Sequence, residues 1–257
     1  MDQEKFSAKK SAKRSSAKTS EGPKRSKPGA GLEKNKLKAG LYLVATPIGN
    51  LADLSLRGLE ILQNAEVIAC EDTRVTGKML SRHAIDTPMK AYHEHNAERA
   101  RPGLLRIIEA GGVVALVSDA GTPSISDPGY RLVNDCIDQG LEITAAPGAN
   151  AAITGLILSG LPTDRFLFAG FLPSKTSQRS KELAELAAVP ATLIFYESAK
   201  RLAAALTDMV AELGDRSAAV TRELTKLHEE IRRGTLSELA QHYQDAGTPK
   251  GEIVIVV

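Results

Sequence analysis

The chain has 257 residues, 42% of them apolar and 25% charged, with a formal net charge of +2. This length suits one large domain or two small ones around a real core, and the composition is that of an ordinary soluble protein. No run is long and charge-free enough to span a membrane, and no apolar segment follows the basic N-terminus, so a secretory signal is excluded.

The charge is unevenly placed. Residues 1–38 carry twelve Lys/Arg and four Asp/Glu, a net of +8 that leaves the remainder at −6. With little apolar besides Phe6 and Leu32, this tail cannot offset its ordering entropy and is expected to be disordered. It reads either as an electrostatic arm for nucleic acid or as a plain solvated extension. Cys70 and Cys136 belong to no CxxC or His-rich set, so they read as reduced, packed thiols in a reducing compartment, and no metal site is expected.

From residue 41 short β-rich runs alternate with helical patterns. "LYLVA" (41–45) reads as a strand. Residues 55–64 read as a helix with Leu56, Leu59, Ile61 and Leu62 as its stripe. "EVIAC" (66–70) is the next strand, "RVTGKMLSRH" a helix and "PMKAY" (88–92) a weaker strand. In "AERARPGLLRIIEA" Pro102 places the start of the helix proper near itself, and Gly111-Gly112 ends it. "VVALVS" (113–118) has the unbroken apolarity of a central parallel strand. Residues 130–139 are helical, Gly140 is a C′ residue, and "LEITAA" closes five β-α units. The expectation is an α/β fold with a mainly parallel, helix-flanked sheet.

After the small-residue helix within 147–162 the grammar changes. "RFLFAGF" and "ATLIFYE" are strands separated by the helix "SQRSKELAELAA". The long helix in 199–213 follows. "SAAVTREL" and "KLHEEIRRG" read as an adjacent strand pair, Thr235–Glu238 as a capping box, and "GEIVIVV" as a last strand. The second half is therefore a mixed α/β domain. The expected division is a tail 1–38, an N-terminal domain 39–160 and a C-terminal domain 161–257, with the boundary at Gly160-Leu161-Pro162.

In open α/β sheets ligands bind beyond the carboxyl ends of the strands. There the sequence sets Thr46, Pro47, Ile48, Gly49, Asn50 and Asp53; then Glu71, Asp72, Thr73 and Arg74; then His93, Glu94, His95 and Asn96. Next come "SDAGTPSISDPG" (118–129), and Pro147, Gly148 and Asn150. Tyr196, Glu197, Arg222 and Glu223 end strands of the second half. Asp53 and Ser55 also fit as helix caps, Glu71 and Asp72 as a helix N-terminus, and His93 and His95 as exposed loop histidines. The twelve-residue loop at 118–129 exceeds what a plain turn needs. Neither phosphate fingerprint is present, nor a nucleophile elbow, so a ligand here is held by several loops rather than one.

"TPIGNLAD", "EDTR", "SDAGTPSISDPG", "PGANAA", "GLPTDRF", "FLP", "FYES" and "REL", in that order, resemble the tetrapyrrole methylase superfamily, the class III S-adenosylmethionine-dependent methyltransferases. The resemblance spans roughly residues 41–257. Tetrapyrrole-modifying members carry a more glycine-rich first loop, and Gly-Asp-Pro where this chain has Ser118-Asp119-Ala120. Both departures point to the branch that modifies ribosomal RNA. The resemblance implies two α/β domains with the cofactor cleft between them, in a cytoplasmic homodimer that does not engage membranes. It further implies 2′-O-methylation of a cytidine ribose in the decoding region of small-subunit (16S) rRNA. The alternative is a tetrapyrrole or other small molecule as acceptor, and a non-enzyme reading is an RNA-binding assembly factor.

Carried over block by block, the residues expected at S-adenosylmethionine are Pro47, Gly49, Ser118, Asp119, Ala120, Gly121, Thr122, Asn150, Ala151, Tyr196, Glu197, Glu223, Leu224 and Gly251. Glu71, Asp72 and Arg74 are candidates for accepting the hydroxyl proton or stabilising the alkoxide, with Asp53 in reserve. Asn50, Asp53, Arg165, Lys175, Arg179, Lys200 and Arg222 are candidates for holding RNA.

Overall fold

The computed structural model describes residues 37–126 and 129–257. The tail reading (all but its last two residues) and Asp127-Pro128 of the long loop fall outside them.

Five strands, β1 (Gly40–Val44), β2 (Val67–Cys70), β3 (Met89–Ala91), β4 (Val113–Leu116) and β5 (Ile143–Ala146), form one sheet. Its order is β3-β2-β4-β1-β5 and every pairing is parallel, as the repeated β-α units require. β2 and β4 are buried along their whole length, which is why they read as unbroken apolar runs. The flanking helices are α1 (Leu56–Asn64), α2 (Thr73–Arg82), α3 (Ala97–Glu109) and α4 (Tyr130–Asp138).

Two local expectations are corrected. α3 runs unbroken through Pro102. Pro102 removes the bond to the carbonyl of Glu98, but both residues are exposed, so the loss falls on the solvent side of the helix. Burial of Ala97 and Ala100 beside Leu104 and Ile108 holds the first turn in place. Leu56, assigned to the apolar stripe of α1, is 86% exposed. It is the first residue of the helix and points away from the face made by Gly58, Ile61 and Leu62. Gly111 and Gly140 adopt left-handed φ values of 90° and 66° just past α3 and α4, the chain reversals their positions require.

The second sheet comprises β6 (Phe166–Phe171), β7 (Thr192–Ser198), β8 (Ser217–Arg222), β9 (Glu230–Thr235) and β10 (Glu252–Val256) in the order β6-β7-β10-β8-β9. Only β6–β7 is parallel; the pairings β7–β10, β10–β8 and β8–β9 are antiparallel. The mixed sheet and the adjacent β8–β9 pair read from the sequence are both present. The chain's last strand lies at its centre, between β7 and β8. Helices α6 (Thr176–Leu186), α7 (Leu202–Leu213) and α8 (Leu236–Asp245) cover one face around Leu193, Phe195, Leu206 and Ile255. The capping box at Thr235 and Glu238 is formed.

The other face of this sheet receives α5 (Ala151–Ser159). Gly155 lets the helix lie close: a Cβ there would stand 3.0 Å from Val254 and 3.2 Å from the Thr221 hydroxyl. An apolar seam of Ile48, Ala152, Leu156, Ile194, Leu224 and Val254 joins loops of the first sheet to the second.

Candidate active site

The first turn, Thr46–Asn50, is held from two sides. Thr46 and Gly121 exchange backbone hydrogen bonds of 2.9 and 3.0 Å, and the Thr46 hydroxyl donates to the Ser118 carbonyl at 3.2 Å. The Asn50 N–H donates to the Thr225 hydroxyl at 3.1 Å, and Gly49 lies so close to Leu224–Lys226 that any Cβ would overlap the Lys226 side chain. The turn thus joins the 118–122 loop to the strand-end loop of the second sheet.

Between these loops lies a cleft of about 470 Å³. From the first sheet it takes Ile48, Ala120, Gly121, Thr122, Asn150 and Ala151; from the second it takes Tyr196, Glu197, Leu224 and Gly251. All but Ile48 were expected at a cofactor. Residues not singled out as cofactor contacts also line it: Ile125, Ser126, Phe171, Ser198, Ala199 and the run Glu252–Val254. Ile125 and Ser126 were visible only as part of the long loop. Placement of β10 at the sheet centre is what brings Glu252–Val254 to the wall, and no local pattern announces that.

Backbone strain concentrates at the rims. Ser124, Ser126, Glu223 and Thr225 hold φ values of 71°, 60°, 51° and 65°, a conformation costly for residues with a Cβ and typical of ligand-holding loops. Gly251 has φ 101°, and a Cβ there would overlap the Glu223 side chain. Gly251→Ala is therefore expected to destabilise the protein by about 1–3 kcal/mol, measured by urea unfolding.

Several expected ligand groups are committed to the protein itself. The Ser118 hydroxyl donates to the carbonyls of Ala120 and Gly121, both at 3.2 Å, and shapes the loop from beneath. Asp119 accepts the Asp72 N–H at 3.0 Å. Asn150 caps α5 by accepting the Ile153 N–H at 3.1 Å and donates to the Thr122 hydroxyl at 3.3 Å. Glu223 accepts from Lys226 at 2.8 Å and from the Glu252 N–H at 3.1 Å, and the Lys226 ammonium holds its carboxyl below the usual range. The Glu197 carboxylate, wholly buried, receives both Arg201 nitrogens at 2.8 Å and the Ser198 N–H at 2.6 Å. Tyr196 packs edge-on against Phe168 and Phe171, with ring centroids 4.8 and 5.5 Å away.

The structure separates the candidate proton acceptors. Asp72 is the N-cap of α2, accepting the Arg74 N–H at 2.8 Å and the Arg74 guanidinium at 2.6 Å. The Arg74 side-chain bond holds Asp72 at about 2, so it is a poor base near neutrality. Arg74 is largely spent on that pair, though its side chain stays exposed. Glu71 goes the other way: although the residue is exposed, partial desolvation of its carboxyl first, then the Asp119 carboxylate, pushes its pKa up. It shares a narrow crevice with Tyr92, Ser118 and Ser124, and the Ser124 hydroxyl is buried without a hydrogen-bond partner among the described residues. His93, expected as an exposed loop residue, is half-buried with its Nδ1 enclosed.

The helix-capping residue at α1 is Ser55, whose hydroxyl accepts the Gly58 N–H at 3.0 Å. Asp53 instead ends a short 3₁₀ turn, Leu51–Asp53, capped by Asn50. Of the cations expected at RNA, Arg165, Lys175 and Lys200 are exposed. Arg179 and Arg222 are engaged within the protein. Arg179 is 4% exposed and spends its donors on Asp208, Pro173, Ser174 and Thr176; Arg222 is spent on Glu230 and the Lys250 carbonyl. Neither guanidinium is offered to a phosphate.

Both cysteines are buried and unbonded, and burial pushes Cys136 up to about 11. Among the described residues no group of three or more His, Cys, Asp or Glu is arranged to hold a metal, and no helix is long and apolar enough to cross a membrane.

The family model for tetrapyrrole (corrin/porphyrin) methylases matches residues 40–240. The chain is 58% identical over 222 residues to ribosomal RNA small subunit methyltransferase I of Mesorhizobium japonicum, covering 86% of this chain and 76% of that one. It is 51% identical over 220 residues to the protein of the same name from Halalkalibacterium halodurans, with 86% and 76% covered. Among solved structures, uroporphyrin-III C-methyltransferase of Thermus thermophilus complexed with S-adenosyl homocysteine superposes with a TM-score of 0.57 at 22% identity, covering 84% of this chain and 96% of that one; this likeness speaks for the fold. With the two-sheet architecture and the cleft between strand-end loops, these matches show that the chain belongs to the tetrapyrrole methylase family, in its ribosomal RNA small subunit methyltransferase I group.

Proposed function

We infer that this chain transfers the methyl group of S-adenosylmethionine to the 2′-hydroxyl of a cytidine in the decoding region of small-subunit ribosomal RNA. The observation that carries the reading is the 470 Å³ cleft, within the size range of small-molecule and cofactor sites, in a chain of this family. The cleft fits the cofactor. Gly121 and Gly251, with φ of 81° and 101°, keep its walls free of side chains at two points. Ile48, Leu224 and Val254 offer apolar surface, and Thr122, Asn150 and Glu252 offer polar groups at its edges.

Bound there, S-adenosylmethionine supplies an activated methyl on a sulfonium, an excellent leaving group. The chain's task is to bring a ribose oxygen into line with that methyl, which is mainly an entropic contribution. As the new O–C bond forms and the S–C bond breaks, the hydroxyl proton must go to a base. Glu71 takes this role: it is the carboxylate at the rim whose pKa is raised and whose oxygens no hydrogen bond from the described residues occupies. Partial desolvation, and after it the negative charge of Asp119, keep Glu71 in this state, and Asp119 fixes the 71–72 backbone by accepting the Asp72 N–H.

The protein acts as a cytoplasmic homodimer in this reading. Supporting it, Ile153 and Ile157 lie one turn apart on the outer side of α5 and are both exposed, an apolar pair that a second copy would cover.

Incubation with labelled cofactor and small ribosomal subunits from a strain lacking the enzyme is expected to place label on one cytidine ribose. Label on a base, or transfer that needs no RNA, overturns the assignment.

A further inference from the structure

A second depression, of about 280 Å³, adjoins the cleft. Pro47 lines the depression while its neighbour Ile48 lines the cleft, and Asp119 lines the depression while Ala120 lines the cleft. The same two loops therefore contribute to the walls of both cavities. Leu51, Val75 and Met79 give the depression an apolar floor. Leu51 and Val75 are 40% and 42% exposed, so the floor is open to solvent.

Lys78 and Arg82 stand on the border of this floor. With Arg74 they recur every fourth residue along α2, which puts them on one flank of the helix, about 6 Å apart along its axis. Both are exposed. Arg74 is paired with Asp72, but Lys78 and Arg82 form no ion pair with any described residue. Elsewhere on the body Arg179, Arg201, Arg222 and Lys226 are neutralised by carboxylates, while the exposed Arg165, Lys175 and Lys200, like Lys78 and Arg82, form no ion pair with a described residue but do not line this depression. An unneutralised pair of cations beside exposed apolar surface, next to loops that also wall the methyl-donor cleft, has the two features a single nucleic-acid strand needs: charge for its phosphates and an apolar face for a base.

We propose that this depression seats an unstacked base of the substrate RNA, with Lys78 and Arg82 holding the phosphates beside it. The inference rests on the rRNA methyltransferase reading above and adds where the strand lies. The base packs on Leu51, Val75 and Met79, aliphatic side chains doing what aromatic ones do in other pockets for extruded bases. Its ribose is then left at the rim shared with the cleft. A duplex, whose bases are stacked and paired, cannot use this floor.

The test compares the wild type with Lys78→Ala/Arg82→Ala, Val75→Glu and, as a control far from the site, Lys181→Ala. The readouts are KM and kcat on small subunits, cofactor affinity by calorimetry, the salt dependence of binding to single-stranded rRNA by filter binding, and sedimentation. The double variant is expected to raise KM about tenfold or more, the scale of a lost charge-assisted contact. Its log–log salt slope should be shallower by about 1.4, since each single-strand phosphate contact contributes about 0.7. Cofactor affinity and the control stay at wild-type values. Val75→Glu, which sets a carboxylate on the floor, is expected to raise KM while leaving cofactor affinity unchanged. A double variant with wild-type KM and salt slope overturns the proposal, as does one whose only change is in sedimentation, which would make the surface a contact between copies. Failure of the wild type to label RNA would strike the proposed function instead, and the salt slope would still decide this inference.

Discussion

Glu71→Gln is expected to lower kcat by about 10²–10⁴, the usual worth of a positioned general base, while cofactor affinity stays near the wild-type value. The amide keeps the size of the side chain but cannot accept the ribose proton. The wild-type pH profile carries the same information. Glu71 works as a base only when ionised, so activity falls as the pH drops through its pKa. Partial desolvation and Asp119 have raised that pKa, so the acid limb lies above the value of about 4.3 for an ordinary glutamate. In Glu71→Gln this limb should vanish along with most of the rate. Asp72→Asn makes the contrast. Asp72 caps α2 and sits at about 2, so its loss should leave the acid limb in place. Should Asp72→Asn abolish turnover and Glu71→Gln spare it, the assignment of the base is wrong.

Arg201→Met should cost about 3 kcal/mol of stability, the consequence of stripping a partner from a buried charge. Glu197 has no exposed side-chain surface, and the Arg201 fork supplies two of its hydrogen bonds. Arg201 also donates to the Leu172 carbonyl at 2.7 Å, tying the end of β7 to the segment after β6. Methionine keeps much of the stem and removes all of these donors. The double variant Glu197→Gln/Arg201→Met should lose less than Arg201→Met alone, because no uncompensated carboxylate remains. Urea unfolding of the three proteins decides it: equal losses for the single and double variants would mean that the charge was never the issue. Since Glu197 lines the cleft, Arg201→Met is also expected to weaken cofactor binding.

The correct and incorrect readings divide along one physical line. Val113–Leu116 and Val67–Cys70 were legible as buried parallel strands because burial on both faces removes polar residues from the run itself. Ser55 and Thr235 cap helices through bonds spanning three residues, and such bonds are visible locally; that Asn150 also caps a helix was not read. The internal pairing of Arg179 and Arg222 was not legible, because what neutralises a cation depends on partners 29 and 8 residues away. Pro102 was misjudged because the face of α3 that packs outweighs one missing hydrogen bond.

By itself the sequence determined the parallel first sheet, the mixed second one, the polar belt beyond the strand ends and the family that carries those loops. Each is written in short-range periodicity or in contiguous blocks, so each survives without coordinates. Only the tertiary structure decided that the last strand lies at the centre of its sheet and delivers Gly251–Val254 to the cleft. It alone separated Asp72, spent on capping and Arg74, from Glu71, whose carboxyl makes no hydrogen bond with any described residue and is pushed up by partial desolvation and Asp119. It alone left Lys78 and Arg82 without carboxylates beside an open apolar floor. Charge state and availability are set by whichever groups the fold brings within a few ångströms, and in this chain those groups come from distant segments.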